Sequence, residues 1–290
     1  MIQVFQTFAI LLTLSPLLGC SGVFYQPDQR IYFPPEKNNF LHKSLFFDSK
    51  DGTRLSAWWF PPQRSGKALT QGPKGTIVQF HGNAQNISSH YASLIWLPHE
   101  GYNLFTVDYR GYGMSEGSPN QKGVHEDALA ALTQAYKLHK ESKAQTFVVY
   151  GQSLGGAISM RALADFQERE QVDLVVMDST FDSYQRVARR KLQSNWITWL
   201  FAPLAYLLVS DEYAPEDTLD QMDNRLLVVH AKEDPIVGFE NGQDIYDSYP
   251  GPKELWTLDT PSHIATFLVN RGKYREKFLS LLQKINTAQE

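Results

Sequence analysis

Phe147-Val148-Val149-Tyr150-Gly151-Gln152-Ser153-Leu154-Gly155-Gly156 is the stretch that decides how this chain is read. An apolar run suited to a buried parallel strand feeds directly into Gly-x-Ser-x-Gly. A helix-like segment, Ala157-Ile158-Ser159-Met160-Arg161-Ala162-Leu163-Ala164, follows at once. In that strand–turn–helix setting the pentapeptide has a mechanical meaning. The turn is tight enough to hold Ser153 in a strained backbone conformation with its hydroxyl presented outward. Gly151 and Gly155 are then required, because a side chain at either place would strike a neighbouring strand or helix. The pentapeptide alone is a weak signal and reads as a glycine-rich turn. The strand before it and the helix after it turn the reading toward catalysis.

Working outward, 290 residues allow one large domain or two small ones. A hydrophobic content of 42% supports a sizeable core, and 20% charged residues is ordinary for a globular protein. The net charge of −4 gives no footprint for a nucleic-acid partner. The eight histidines are scattered without metal-ligand spacing, and a single cysteine excludes disulfides within the chain and cysteine-based zinc sites. No cofactor is expected.

That cysteine is Cys20, at the end of the apolar run from Phe8 to Gly19. The run is too short and interrupted to span a bilayer comfortably, but it has the size of the hydrophobic part of a signal peptide. Leu17-Leu18-Gly19-Cys20 resembles the bacterial lipobox, in which the cysteine is lipidated and becomes the new N-terminus. Ser21 in the next position fits export to the outer membrane. Against this, residues 1–19 carry no Lys or Arg. The reading adopted is a leader over 1–19, lipidation at Cys20 and a lipid-anchored protein of the bacterial cell envelope, on the periplasmic side of the outer membrane. The alternative is an N-terminal membrane anchor without lipidation. Pro27, Pro34 and Pro35 mark residues 20–39 as a linker to a domain over 40–290.

Within that domain, strands are expected at Ser44–Phe47, Leu55–Phe60, Thr76–Phe80, Leu104–Asp108, Thr146–Tyr150, Leu174–Asp178, Leu226–His230 and Glu254–Leu258. The first two read as an antiparallel start turning at Asp51-Gly52. From Thr76 onward, helical stretches separate the strands, which argues for parallel strands joined by crossovers. Arg64–Gly75 reads as an exposed loop. Trp196–Val209, between the sixth and seventh strands, is apolar almost all round and interrupted by Pro203. It reads either as a buried crossover helix or as a cap whose wall contacts an acyl chain, the cap extending over 183–215.

Two further motifs carry a family resemblance, His81-Gly82-Asn83-Ala84-x-Asn86 and Asp108-Tyr109-Arg110-Gly111-Tyr112-Gly113-x-Ser115-x-Gly117-x-Pro119. With the serine turn and the strand order, they make the chain resemble the α/β-hydrolases from about Phe40 to its end. Within that superfamily it resembles a branch related to acylglycerol lipases and acyl-protein thioesterases. The resemblance implies an eight-stranded, mostly parallel sheet with helices on both faces and a small cap-like insertion between strands six and seven.

A neutral serine hydroxyl is a poor nucleophile and needs a base, and that base needs an orienting acid. In this fold the order along the chain is Ser, then Asp or Glu, then His. Asp234 follows the strand Leu226–His230 and His263 follows the last strand, so Ser153, Asp234 and His263 are the expected catalytic residues. Glu233 adjoins Asp234, but the family pattern selects Asp234. Asp178, at the end of the sixth strand, is a rival acid, and Asp259 reads as a loop-capping carboxylate. His230 reads as a core histidine, and His90, His99, His125 and His139 as surface residues. The oxyanion hole is expected from the N–H groups of Leu154 and, by resemblance, Asn83. His81 is read as bracing its loop, and Asp108 and Arg110 as pairing within theirs.

These residues point to a serine hydrolase of the carboxylesterase, lipase or thioesterase type, acting on a small-molecule or lipid acyl substrate. A serine peptidase of the same fold is the alternative, and a non-catalytic binding scaffold a weaker one. The oligomeric state does not follow from the sequence.

Overall fold

A computed structural model describes residues 24–194, 196–269 and 272–288. The expectations for the leader over 1–19 and for Cys20 lie outside the described residues. Among the described residues, no helix is long and apolar enough to cross a membrane.

Eight strands make the central sheet: β1 (Lys43–Asp48), β2 (Arg54–Phe60), β3 (Gly75–Phe80), β4 (Tyr102–Val107), β5 (Thr146–Gln152), β6 (Leu174–Asp178), β7 (Leu226–Ala231) and β8 (Lys253–Leu258). Their order across the sheet is β1-β2-β4-β3-β5-β6-β7-β8. β1 and β2 pair antiparallel, with Lys43 opposite Trp59, and β2 pairs antiparallel with β4. Every pairing from β4 to β8 is parallel. β3, β4, β5, β6 and β7 are buried along their whole length, as strands covered on both faces must be. The edge strand β1 carries no fully buried residue.

The side-chain period of two divides the core into two layers. Val78, Phe80 and Val149 point into a layer with helices α1 (Gln121–Ser142) and α2 (Leu154–Asp165). Ile77, Val148 and Tyr150 point the other way, toward Phe278 and Leu282 of the C-terminal helix α5 (Lys273–Thr287). α3 (Tyr184–Gln193) follows β6, and α4 (Phe239–Ser248) lies between β7 and β8. The chain is an α/β-hydrolase fold, with the strand order reversing at β3, so that β3 and β5 are neighbours and the loops leaving their carboxyl ends meet.

Two expectations are corrected. Residues 24–39 are no free linker. Gln26–Pro27 pairs in parallel with Ala84–Gln85, Tyr25 is buried, and Asn86 Nδ2 donates to the carbonyls of Asp28 and Arg30, each at 2.8 Å. Gly113 N also donates to the Asp28 carbonyl at 2.9 Å. The segment is a strap laid across the loops after β3 and β4. The second correction concerns Arg110, whose partners lie outside its own loop: Asp127 on α1 and Asp51 in the β1–β2 turn, both at 2.8 Å. Asp108 instead accepts from Ile87 N at 2.8 Å and lies 3.6 Å from His81 Nε2.

The segment after α3 is a 3₁₀ turn over Trp199–Leu204 and a short helix over Ala205–Leu208, with Pro203 inside the turn. A buried crossover does not describe it. Trp196 and Leu207 are 82% and 81% exposed, and only Ala202 and Ala205 in the two turns are buried.

Candidate active site

Ser153 sits between β5 and α2 with φ 51° and ψ −123°, a backbone conformation that ordinary residues avoid and that costs on the order of 1–3 kcal/mol. Its neighbours hold it there. Ser153 N donates to the Asp178 carbonyl at 2.9 Å, and the Ser153 carbonyl accepts from Gly156 N at 2.9 Å and from Thr180 Oγ1 at 2.6 Å. The flanking glycines are needed for space. A Cβ on Gly151 would lie 2.4 Å from Gly156 Cα, and one on Gly155 would lie 2.3 Å from the Phe80 carbonyl oxygen. The turn therefore exists because two glycines let α2 close against β3 and β5.

His263 and Asp234 are brought together from loops after different strands, β8 and β7. His263 Nδ1 lies 2.8 Å from Asp234 Oδ2. Burial alone would raise the Asp234 carboxyl, but the hydrogen bond and charge of His263 outweigh it. The N–H groups of Ile236 and Val237, donating to Asp234 Oδ1 at 2.8 and 3.0 Å, act in the same direction. The carboxyl is held below its ordinary range, so it is an anion wherever the protein is folded near neutrality. No hydrogen bond joins His263 to Ser153 among the described residues. Catalytic contacts in unliganded enzymes are often long and tighten with substrate bound.

The loop carrying His263 is pinned by a group read above as a rival acid. Asp178 accepts from Thr266 Oγ1 at 2.9 Å and from Tyr150 Oη at 2.8 Å. Burial pushes its carboxyl up, against those hydrogen bonds. Next to it, Ser179 Oγ accepts from Ile264 N at 3.3 Å. Ser179 and Ile264 both have positive φ, 55° and 50°, which for a β-branched residue marks a held conformation. No linear pattern in the sequence marks this anchoring, since Tyr150, Asp178 and Thr266 are far apart along the chain.

On the opposite side, the loop after β3 approaches Ser153 closely. A Cβ on Gly82 would lie 3.5 Å from the Ser153 Cβ. Asn83 Oδ1 accepts from Gln26 N of the strap at 2.8 Å. The Asn83 side chain is thus committed to the strap. Leu154, as the first residue of α2, has a backbone N–H without an intrahelical acceptor, at the positive end of the helix dipole. His81 is fully buried, its ring 4.5 Å from that of Tyr109, and Tyr109 Oη donates to the His81 carbonyl at 3.0 Å. Burial pushes the His81 imidazole down to about 3, so it is a neutral brace.

Ser153, Leu154 and Asn83 share one cavity of about 600 Å³. Phe181 and Val187 line it from the β6–α3 side, Phe201, Leu204 and Leu208 from the segment after α3, Val237 from the loop of Asp234, and Phe24 from the strap. Among the described residues lining it, Lys191 is the only charged one. The remaining candidates fall outside it. Asp259 pairs with Lys232 at 2.8 Å on the surface. His230 Nε2 lies 2.8 Å from the Val237 carbonyl, in the core. His139, read as a surface residue, is buried between Tyr136 and Phe147, because the apolar face of α1 turns it inward. Among the described residues no group of His, Cys, Asp and Glu is placed to hold a metal ion.

Comparison with known proteins places this chain in a family. Residues 71–225 match the model of the family described as serine aminopeptidase, S33. The uncharacterized protein YfhR of Escherichia coli O157:H7 is 33% identical over 89% of this chain and 86% of its own. The α/β-hydrolase domain-containing protein WAV2 of Arabidopsis thaliana is 35% identical, over 86% of this chain and 81% of its own. Among solved structures, the esterase Pf2001 of Pyrococcus furiosus superposes with a TM-score of 0.68 at 22% identity, covering 89% of this chain and 98% of its own.

Proposed function

Because the chain belongs to the serine aminopeptidase S33 family of the α/β-hydrolases, we propose that it is a serine hydrolase cleaving carboxylic esters or thioesters of apolar acyl groups. The observation that carries this reading is the apolar cavity with Ser153 in its wall and a hydrogen-bonded His263–Asp234 pair among the neighbouring loops.

The steps follow from the chemistry of the groups. His263 Nε2 takes the proton of the Ser153 hydroxyl as Oγ attacks the acyl carbonyl carbon. The oxyanion is stabilised by the N–H groups of Leu154 and Asn83 and by the positive end of α2. The tetrahedral intermediate collapses, His263 gives its proton to the departing alcohol or thiol, and an acyl-enzyme remains. Water, deprotonated by His263, then releases the acid and restores the serine. Asp234 accepts the Nδ1–H throughout, which fixes the tautomer and stabilises the imidazolium. Bound acyl chain would lie against Phe181, Val187, Phe201 and Leu208, where the gain is about 25 cal/mol for each Å² of apolar surface removed from water.

A peptidase acting on free N-termini is the second reading, since the family's description names one. Such an enzyme must neutralise a substrate ammonium, and a buried ammonium without an anion is costly. Among the described residues, the cavity lining offers Lys191 and no carboxylate, which favours the acyl reading. The test is fluorophosphonate labelling with a panel of p-nitrophenyl esters of graded length, a thioester and an aminoacyl amide. The parent is expected to be labelled and to prefer esters of longer chain. Ser153→Ala is expected to lose labelling and at least about 10⁴-fold in kcat. Undiminished labelling of that variant would sink the assignment, and a preference for the amide would favour the peptidase.

A further inference from the structure

We propose that the outer face of residues 196–208 is a membrane-docking surface, which seats on an anionic lipid bilayer with the cavity mouth turned toward it. This goes beyond the acyl-hydrolase reading and stands on observations separate from the chemistry of Ser153.

The first observation is composition. From Ser194 to Ser210 the sequence contains no charged residue. In the structure Trp196, Trp199, Leu200 and Leu207 are more than half exposed, at 82%, 55%, 66% and 81%. Single exposed apolar residues are normal on a soluble protein, whereas a contiguous group of large ones marks a surface meant to be covered. Trp196, Trp199 and Tyr206 add amphipathic rings, which favour the headgroup level of a bilayer over its interior or over water.

The second observation is charge. Of the cations on α3, Arg186 is engaged by Asp182 and Glu216, and Arg190 by Asp244 at 2.8 Å. The other two are differently placed. Arg189 lies over the Tyr206 ring at 5.7 Å from its centroid, and Lys191 sits at the cavity with its Nζ donating to the Pro235 carbonyl at 3.3 Å. Among the described residues, neither makes an ion pair within the distance at which Arg186 and Arg190 do. Two such cations beside an apolar, aromatic patch are complementary to anionic headgroups over acyl chains.

The third observation is connectivity. The segment has two faces, and its inner one is the cavity wall, through Phe201, Leu204 and Leu208. Phe24, the first described residue, lines the same cavity and packs edge-on against Tyr184 with ring centroids 5.1 Å apart. The strap therefore reaches the same cavity that this segment walls. A bilayer is favoured over a second copy of the chain, because Arg189 and Lys191 stand beside the patch and its aromatic rings are of the kind that favour the headgroup level.

The test uses the full chain, with vesicles of phosphatidylcholine alone or mixed with phosphatidylglycerol, each carrying a bromine-labelled phosphatidylcholine that quenches tryptophan at a shallow depth. The variant Leu200→Glu with Leu207→Glu keeps all tryptophans and touches no residue that lines the cavity. The parent is expected to be quenched by the mixed vesicles and several-fold less by the neutral ones. The variant is expected to lose most of that quenching while melting at the parent's temperature. Equal quenching of parent and variant overturns the proposal, as does none in the parent. A concentration-dependent dimer abolished in the variant assigns the patch to a second copy instead. Blue-shifted emission that vesicles leave unchanged assigns it to the terminal segment of the chain itself. Quenching is read without substrate, so its failure leaves the Ser153 reading untouched, and a failure of fluorophosphonate labelling leaves this one untouched.

Discussion

The turn at Ser153 and the segment 196–209 border the same cavity and are built on opposite terms. Around the turn, Gly151, Gly155 and Gly156 pack without a gap against β3, α2 and Thr180, and Ser153 is held in a strained conformation by its neighbours. The segment is two short helical turns, the first with Pro203 inside it, and most of its large side chains are exposed. The first region has one arrangement available to it. The second can change side chains, and the shape of one cavity wall, without disturbing the sheet. The difference teaches where each kind of constraint sits: a fixed backbone in the close-packed layer, and freedom to vary in a cavity wall that the core does not fix.

The sharpest way to break this contrast is Gly155→Ala. Its Cβ would fall 2.3 and 2.4 Å from the carbonyl oxygens of Phe80 and His81. Overpacking of that kind costs at least about 3 kcal/mol, and the shifted loop after β3 should lower activity by ~100-fold or more. Denaturant unfolding and ester hydrolysis measure both, and parental values for this variant would remove the claim of a close-packed turn. Leu208→Ala is the counterpart in the segment. Leu208 lines the cavity and is 57% exposed. Its truncation should leave stability within about 0.5 kcal/mol. KM for long-chain esters should rise about 10-fold, with short-chain esters unaffected. A drop in melting temperature as large as that of Gly155→Ala would show that the two regions are one.

The smallest effect sharpens the picture of the close-packed layer through pH. Burial pushes the His139 imidazole down from its ordinary value of 6.5 to about 4. Between those values the unfolded chain binds the proton and the folded one does not. Stability from this site is therefore complete above 6.5 and is lost as pH falls toward 4. His139→Phe should flatten the fall in denaturation midpoint across that window, and an unchanged slope would place the linkage elsewhere.

Most of the sheet was legible because its information is local. Each strand is a short apolar run, and Gly151, Ser153 and Gly155 report a turn whose clashes involve the next few residues and the adjacent strand. Asp234 and His263 could be placed because each follows a strand at the sheet's carboxyl edge, where chain order carries the meaning. What was not legible depends on partners distant in sequence. Arg110 reaches back to Asp51 and forward to Asp127, and no spacing rule links the three. His139 looked like a surface residue because α1 is polar on average, though its inward face is not. The segment 196–209 left a buried helix and a cap both open, since an all-round apolar composition fits either. The prolines of 24–39 suggested a linker, and only the pairing with Ala84–Gln85 reveals a strap.

That strap sets an order of events during folding. Gln26 N donates to Asn83 and Tyr112, at separations of 57 and 86 residues along the chain. Asp28 and Arg30 need Asn86, and Asp28 also needs Gly113. In a chain made from its N-terminus, none of these places exists until the loops after β3 and β4 have been synthesised and shaped. Contacts of such long sequence separation carry a closure cost before they return any stability. Residues 24–30 therefore wait, and the part of the cavity wall contributed by Phe24 is completed only when this strap is seated on loops made long after it.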